Sequence, residues 1–505
     1  MNDLTEFMVL DTSNGRVATA LEGHEGTQFR TEVLPKWLPL QRWFAGKDKA
    51  IGAVAMTPLG DLAQGEHELV SVNVTVGDED QSYLLPISVR WGDEHSGAPK
   101  TSYALARIRH ADRAGTLIDG AYDERLPQLL LDGLKENRLD GPLRFEGTDA
   151  LRQIEQPGDP RQLGAEQSNL SIAFGDRIIL KLYRRLREGE QPDVEVAKFL
   201  TEVAGFDHTP RFLGQVVHGS TTLAAAFAFV ANQGDAWSGI VDALQQEASA
   251  GEAQSGTAVF DFPLSLGSIL GRRTAELHKA LATETEDPAF ATKDLTSDQL
   301  GKWAEDARAE AEALIARLEQ AQLPDTVAPL VQSLLAQRQA LLSRLRAVAD
   351  LAPGCKLSRI HGDYHLGQVL LAQDDVVIID FEGEPARTLA ERREKSSPLR
   401  DVAGMLRSFD YAAMTVIARH DNVEGGRDRI ETWRQSVMRD FLDAYRRHSE
   451  GAANLPSDEG SRETLLDFFL LHKAIYEAGY ELSNRPAWIG IPLKGILDLL
   501  EGKDQ

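Results

Sequence analysis

The chain holds a single cysteine, Cys355, in 505 residues. No intrachain disulfide can form, so burial and hydrogen bonding must hold the fold, and the expected setting is a reducing cytoplasm. Long apolar runs are equally scarce: no stretch approaches the ~18–20 residues of a membrane span, and no membrane association is expected. The opening Met1-Asn2-Asp3-Leu4-Thr5-Glu6 is acidic and lacks the basic start and apolar core of a secretion signal. Positive charge is the third deficit. Lys and Arg number 54 against 78 Asp and Glu, a formal net charge of −24. That balance excludes nucleic-acid binding through a broad basic face. It also repels an anionic substrate unless local cations offset the field. No Walker A sequence is present, which removes the P-loop NTPases.

What the chain does have is a dispersed apolar pattern, 42% of residues, and the length for two or three domains with a large core. Val72-Asn73-Val74-Thr75-Val76 alternates apolar and polar residues. Gly77-Asp78-Glu79-Asp80 supplies turn chemistry, and residues 83–89 read as the returning strand of a hairpin. Pro86 predicts an edge position for that strand. A second strand-rich block runs from about Leu163 to Ala231, with β-type runs at 177–183 and 224–230. Between them, residues 192–200 have helical apolar spacing with a proline at the start. Asn232-Gln233-Gly234-Asp235 breaks the strand pattern, and helical periodicity dominates from about Trp237. The Gly/Ala/Ser/Glu-rich stretch Gln245 to Thr257 reads as a loop.

The densest chemistry is His361-Gly362-Asp363-Tyr364-His365-Leu366-Gly367-Gln368, followed by an apolar strand at 376–379 and then Asp380-Phe381-Glu382-Gly383. Loop, strand and strand-end acid together form a toolkit for phosphoryl transfer from ATP in a kinase-like fold. Asp363 is the candidate base, orienting an acceptor hydroxyl. Gln368 and Asp380 offer the hard oxygens that Mg²⁺ prefers, and Glu382 is placed to assist a second ion or contact a sugar. His361 and His365 are four residues apart, but Gly362 interrupts any helix and no third soft ligand is evident, so zinc is disfavoured. Lys181, mid-strand, is the candidate ATP lysine, with Glu195 on the next helix as its partner. Ser168 lies where a phosphate-covering loop belongs, although that loop is not glycine-rich. Ser397-Pro398-Leu399-Arg400-Asp401 opens a helix, and Asp401 either supports the helix start or braces the catalytic loop. Lys473, Tyr476, Glu477 and Tyr480 recur at three- and four-residue spacing, a face suited to a polyhydroxylated sugar.

These segments, together with Gln41-Arg42-Trp43-Phe44-Ala45-Gly46-Lys47, Glu384-Pro385, the helix opening carried on to Phe409, and Asn484-Arg485-Pro486, resemble bacterial maltokinases. That family is similar to aminoglycoside phosphotransferases and, more distantly, to eukaryotic protein kinases. The resemblance implies an α+β, bilobal kinase-like fold. Its expected parts are an N-terminal cap at 1–150, a strand-rich remainder of the N-lobe at 151–232, and a mostly helical C-lobe at 233–505. It implies ATP-dependent phosphorylation of maltose to maltose 1-phosphate, feeding α-glucan synthesis. Asp363 carries over as base, Gln368 and Asp380 as Mg²⁺ ligands, Lys181 and Glu195 as the nucleotide-side pair. It also allows for a complex with trehalose synthase. Two alternatives stay open: another sugar kinase of this fold, such as a glucosamine kinase, and a noncatalytic scaffold that binds trehalose synthase.

Overall fold

The structure is a computed structural model, and it describes residues 8–47, 49–92, 103–164, 169–249, 260–385, 387–419 and 426–502. Ser168 lies outside the described residues. By contact the chain divides into two units, Met1–Lys198 with Pro210–Ala231, and Phe199–Thr209 with Asn232–Gln505.

The first unit is built on two seven-stranded sheets. One contains β1 (Val9–Asp11), β2 (Ile51–Leu62), β3 (His67–Val76), β4 (Glu79–Trp91), β5 (Ala104–His110) and β6 (Arg113–Asp119) in the order β1-β5-β6-β4-β3-β2. The other runs β7-β8-β13-β14-β11-β10-β9, with β7 Leu139–Asp140, β8 Leu143–Gly147, β9 Pro160–Gln162, β10 Asn169–Phe174, β11 Ile178–Tyr183, β13 Phe212–His218 and β14 Thr221–Ala228. The short β12 (Arg185–Leu186) leaves the second series and pairs with β4. The expected hairpin is β3–β4, in register from Val76↔Glu79 to His67↔Ser88. Its period of two decides the packing. Val70, Val72, Val74, Tyr83, Leu85 and Ile87 face a core with Trp37, Trp43 and Phe44. Leu69 and Leu84 face the opposite way, into a second core shared with Leu180 and Val216 of the other sheet. Helix α1 (Arg125–Glu136) adds Leu126, Leu130 and Leu134 to that second core and ends at Asn137, whose left-handed φ of 49° turns the chain into β7.

Pro86 does not lie on an edge strand, because β4 sits between β3 and β6. On the β6 side, however, pairing starts only at Ile87↔Asp119, and β12 pairs at Tyr83 and Ser82. Pro86 occupies the gap between these two neighbours, so an interior strand has a local edge where a missing N–H costs nothing.

A fully buried ion pair ties these strands together. Arg184 Nη2 lies 2.7 Å from Asp119 Oδ2, and both side chains are 0% exposed. Arg184 also donates to the Leu84 carbonyl at 3.2 Å and lies over the Trp43 ring at 4.8 Å.

The second unit is helical. It contains, after α2 (Pro192–Lys198) of the first unit, α3 (Ala236–Ser249), α4 (Gly267–Ala280), α5 (Ser297–Gln320), α6 (Ala328–Ala336), α7 (Arg338–Arg346), α8 (Leu399–Arg419), α9 (Gly426–His448), α10 (Glu459–Asn484) and α11 (Gly490–Glu501). Residues 245–249, expected in a loop, are the last turn of α3, where alanine and glutamate favour helix. Two small antiparallel ladders are embedded here, the pair β15–β16 (Lys293–Asp294, Lys356–Leu357) and the hairpin β17–β18 (Val369–Ala372, Asp375–Ile378). Among the described residues no helix is long and apolar enough to cross a membrane.

The buried Arg184–Asp119 pair sets a stability test. Truncating Asp119 to Ala removes the carboxylate that the buried Arg184 guanidinium meets, and about 3–5 kcal/mol of stability is expected to be lost. The double change Arg184→Met with Asp119→Leu should recover most of that loss. Urea denaturation of the parent and the two variants checks it.

Candidate active site

The 361–368 loop belongs to the helical unit and rests on α8. Asp401, Gly404 and Ser408 lie on one stripe of that helix, and each meets the loop. Buried Asp401 accepts the His361 N–H through Oδ2 at 2.7 Å and the Gly362 N–H through Oδ1 at 2.9 Å. At Gly404 a Cβ would come within 2.7 Å of the Tyr364 carbonyl oxygen, so only glycine lets the loop backbone lie on the helix. Ser408 Oγ accepts from Leu366 N–H at 3.1 Å. From α4, the Thr274 hydroxyl meets Tyr364 OH at 2.9 Å. His278, also on α4, donates through Nε2 to Asp401 Oδ2 at 3.2 Å, with Tyr445 OH 2.9 Å from its Nδ1. Burial by itself would raise the Asp401 carboxyl. The His278 and Gly362 hydrogen bonds more than offset it and hold the group below its ordinary value. Of the two readings for Asp401, the loop brace is the one observed.

The tautomer of His361 follows from its partners. Its Nδ1 accepts the Asp363 N–H at 3.4 Å, so Nε2 carries the hydrogen and donates to the Ile379 carbonyl at 3.0 Å. With His361 Nδ1 engaged inward and His365 Nδ1 accepting from Gly367 N–H at 3.1 Å, the two histidines do not converge on a zinc ion. Ile379 is held from both sides, because its N–H donates to the Gln368 carbonyl at 3.0 Å. The next residue, Asp380, takes a left-handed φ of 67°, a strained conformation that aspartate tolerates better than most residues. The β17–β18 hairpin thus sets Gln368 and Asp380 side by side at its open end.

Asp380 and Glu382 present carboxylate oxygens within 4.8 Å of each other. Paired carboxylates are hard oxygen donors, the chemistry that suits Mg²⁺ rather than a soft metal. Arg392 pins this segment through three main-chain carbonyls, those of Glu382 at 3.3 Å, Pro385 at 2.7 Å and Arg387 at 3.1 Å.

Sequence reasoning passed over Glu384 as a site residue. It is buried, and it lines the same cavity as Asp363, His472, Lys473 and Tyr476. Its oxygens meet three cations: Arg387 at 2.5 Å, Arg400 at 3.4 Å and Lys473 at 3.5 Å. Burial opposes ionisation, yet Lys473, Arg400 and Arg387 pull the carboxyl down to about 2. The signal was available, since Glu384 falls between strand-end acids and an arginine-rich helix start, but nothing in sequence spacing pairs it with Lys473, 89 residues away.

The four candidates on α10 divide. Tyr476 and Tyr480 are exposed, at 37% and 48%, and the Lys473 ammonium lies 5.1 Å from the Tyr476 ring. Glu477 does not join them on the open surface. It turns toward α8, where Arg407 Nε donates to it at 3.0 Å and continues to Asp410 at 2.6 Å.

In the strand-rich unit, Lys181 on β11 meets Asp193 Oδ2 at 2.8 Å, and Tyr183 OH donates to the same oxygen at 3.2 Å. Asp193 was not anticipated. The expected partner, Glu195, is buried two residues later on α2.

Two substitutions probe this geometry. Asp401→Asn keeps one acceptor and loses the second, so the loop shifts; kcat should fall about 10²-fold while the fold survives, as circular dichroism and steady-state kinetics would report. For Glu384 the depressed folded value means its stability contribution is present above the ordinary carboxyl range and is lost as pH falls toward 2. Glu384→Gln is therefore expected to cost roughly 2–3 kcal/mol at neutral pH and only a small fraction of that near pH 2, measured by denaturation at both pH values.

Residues 37–123 match the family model "Maltokinase N-terminal cap domain", and residues 159–433, more than half the chain, match "Phosphotransferase enzyme family". A glucosamine kinase of Mycolicibacterium smegmatis is 30% identical over 413 residues, covering 79% of this chain and 93% of that protein. A glucosamine kinase of Streptacidiphilus jiangxiensis is 27% identical over 348 residues, 67% of this chain and 73% of that one. A solved structure of glucosamine kinase in complex with glucosamine, ADP and inorganic phosphate superposes with TM-score 0.66 at 21% identity, over 94% of this chain and 98% of that chain. At that identity the likeness speaks to the fold, which is the expected kinase-like one with cap, strand-rich N-terminal region and helical C-terminal region. The chain belongs to the phosphotransferase enzyme family, with a maltokinase-type N-terminal cap and the architecture of a sugar kinase.

Proposed function

We propose that this protein phosphorylates maltose with ATP, giving maltose 1-phosphate and ADP and so feeding α-glucan synthesis. The observation that carries the reading is the electrostatic make-up of the cavity beside Asp363. Its acids are engaged: Glu384 holds three cations, Glu310 meets His472 at 3.0 Å, Asp401 binds the loop backbone, and the His365 ring lies 3.9 Å from Asp363. What faces an incoming acceptor is a cationic lining of Lys473, Arg387 and Arg400, and next to it the exposed rings of Tyr476 and Tyr480. A neutral disaccharide fits such a surface, with hydroxyls toward the cations and C–H faces on the rings.

In this reading Asp363 orients the sugar hydroxyl and accepts its proton, while the cations draw the phosphoryl group against the chain's negative field. Gln368, Asp380 and Glu382 would hold Mg²⁺, which supplies charge neutralisation at the phosphates when bound. Lys181 with Asp193, Glu195 and the Ser168 segment form the proposed nucleotide side. Glu477 supports the acceptor helix from behind, and the three-part division at 150 and 232 frames the lobes. Cytoplasmic location and association with trehalose synthase belong to the same proposal. A second reading, glucosamine as acceptor, is favoured by the names of both curated relatives. It would bring an ammonium group toward Lys473, Arg387 and Arg400, a like-charge arrangement that costs affinity.

An ADP-release assay across maltose, glucose, glucosamine and trehalose, with phosphorus NMR of the product, separates these readings. Turnover with maltose and an anomeric phosphate is expected. Good turnover of glucosamine with none of maltose would replace the substrate, and no turnover with any sugar would favour a scaffold. Asp363→Ala should lower kcat by at least ~10³-fold. Tyr476→Ala should act mainly on the sugar KM, raising it about tenfold by loss of ring contact.

A further inference from the structure

The cap sheet contains a second concentration of polar groups, unrelated to the loop at 361–368. Glu68 of β3 is 3% exposed, and its Oε2 is buried with no hydrogen-bond partner. A buried, unpaired carboxylate oxygen needs an explanation, because burying it unsatisfied costs free energy. It lines a cavity of ≈ 260 Å³ together with Asp61, Arg16 and the chain at Pro58, Leu59 and Gly60. Asp61 is the direct cross-strand partner of Glu68 on β2. Like charges opposite each other in an antiparallel pair repel, so this arrangement is unfavourable unless something lies between them. Arg16 is not that partner: it is exposed and makes no ion pair among the described residues. Its stem packs on Gly65, where a Cβ would come within 2.5 Å of it.

The backbone around this pair is also irregular. The β2–β3 register shifts between Pro58 and Gly60, which leaves Leu59 without a cross-strand partner. The turn joining the two strands runs through three consecutive left-handed residues, Ala63, Gln64 and Gly65, with φ of 50°, 59° and 89°. The regular β2–β3 ladder is therefore interrupted beside the Glu68–Asp61 pair.

We propose that this cavity is a divalent-cation site in the cap, with the Glu68 and Asp61 carboxylates as its charged ligands and Ca²⁺ as the ion it suits. Ca²⁺ accepts six to eight oxygens in flexible geometry, mixing carboxylates, main-chain carbonyls and waters, whereas Mg²⁺ demands a regular octahedron that a bulged strand pair does not provide. The ion would cancel the repulsion between the two acids and satisfy the buried oxygen at once.

The charged groups facing Glu68 are Asp61 from β2 and Arg16 from the segment ahead of residue 17, and β4 opposes it with Ile87. Burial raises the Glu68 carboxyl to about 7, with Asp61 adding to the rise and Arg16 opposing it. Cation binding therefore competes with a proton on Glu68 and strengthens as pH rises.

The test uses the full chain carrying Asp380→Asn, which weakens the candidate metal position of the helical unit and leaves the cap untouched. With ~10 mM Ca²⁺ near pH 8 the melting temperature is expected to rise by about 3 °C, and by clearly less near pH 6. Glu68→Gln should abolish the rise and Asp61→Asn should weaken it, and calorimetry near pH 7 should record proton release on binding. Without Ca²⁺, Glu68→Gln should melt above its parent near pH 8: a raised folded value means that the contribution of Glu68 is lost as pH climbs through 7. No Ca²⁺-dependent rise at either pH, or a rise that both variants retain, overturns the proposal. Should Glu68→Gln fail to fold, Asp61→Asn at its exposed position decides alone.

Discussion

The site rests on one carboxylate. Asp401 spends both oxygens on consecutive backbone N–H groups, those of His361 and Gly362, and so fixes the direction in which the loop leaves α8. Every later element inherits that direction. His361 is oriented by it and reaches the Ile379 carbonyl. Ile379 in turn fixes the strained Asp380, and the Tyr364 carbonyl settles over Gly404. The arrangement is rigid because its donors and acceptors are paired around the buried Asp401 carboxylate, and in a low-dielectric interior such a network resists partial opening. A hydroxyl at residue 401 would satisfy only one of the two amides, and a longer acid would displace both. The carboxylate, with its own hydrogen bond from His278, is the group that fits.

A chain of net charge −24 that handles a phosphoryl donor has to reverse its field locally. Glu384 accounts for how this is arranged. Three cations gathered without an anion would repel one another and one would leave or lose its proton. A buried carboxylate at their centre holds Arg387, Arg400 and Lys473 together while leaving a net positive group beside Asp363. Its depressed pKa follows from the same crowding, since protonation would leave three positive groups facing each other.

What could be read from the sequence divides along physical lines. Local signals were legible: the β3–β4 hairpin from its period of two, the α2 start from Pro192, the loop–strand–acid order around Asp363, and the boundary in composition near Asn232. Contacts across long separations were not. The Asp193 contact with Lys181 joins β11 to α2, and the pattern that pointed to Glu195 does not single it out. Glu477 shared a helical spacing with Tyr476 and Tyr480, yet three- and four-residue steps place residues on a broad arc, and Arg407 on α8 claimed one end of it. Pro86 misled for a different reason. The rule that proline seeks an edge is sound, but an interior strand acquires a local edge where its neighbours stop short, and only the register of β6 and β12 reveals it.

The β17–β18 hairpin poses a last question of stability, because four residues a side would be marginal alone in water. It is completed by chain from elsewhere in the helical unit. Leu371 exchanges backbone hydrogen bonds with the 233–234 turn, and Ile378 N–H donates to the His208 carbonyl at 2.8 Å. Arg273 of α4 forks onto Asp375 with Nε at 2.9 Å from Oδ1. These bonds account for the way the chain divides. Phe199–Thr209, in the middle of strand-rich sequence, belongs to the helical unit because His208 closes one edge of the hairpin, and the break at Asn232 closes the other. Two of the three places where the backbone passes from one unit to the other, the one just after His208 and the one at Asn232, therefore also steady the hairpin that carries Gln368 and Asp380. Loosening either passage should be felt first at the hairpin's open end, where those two side chains sit.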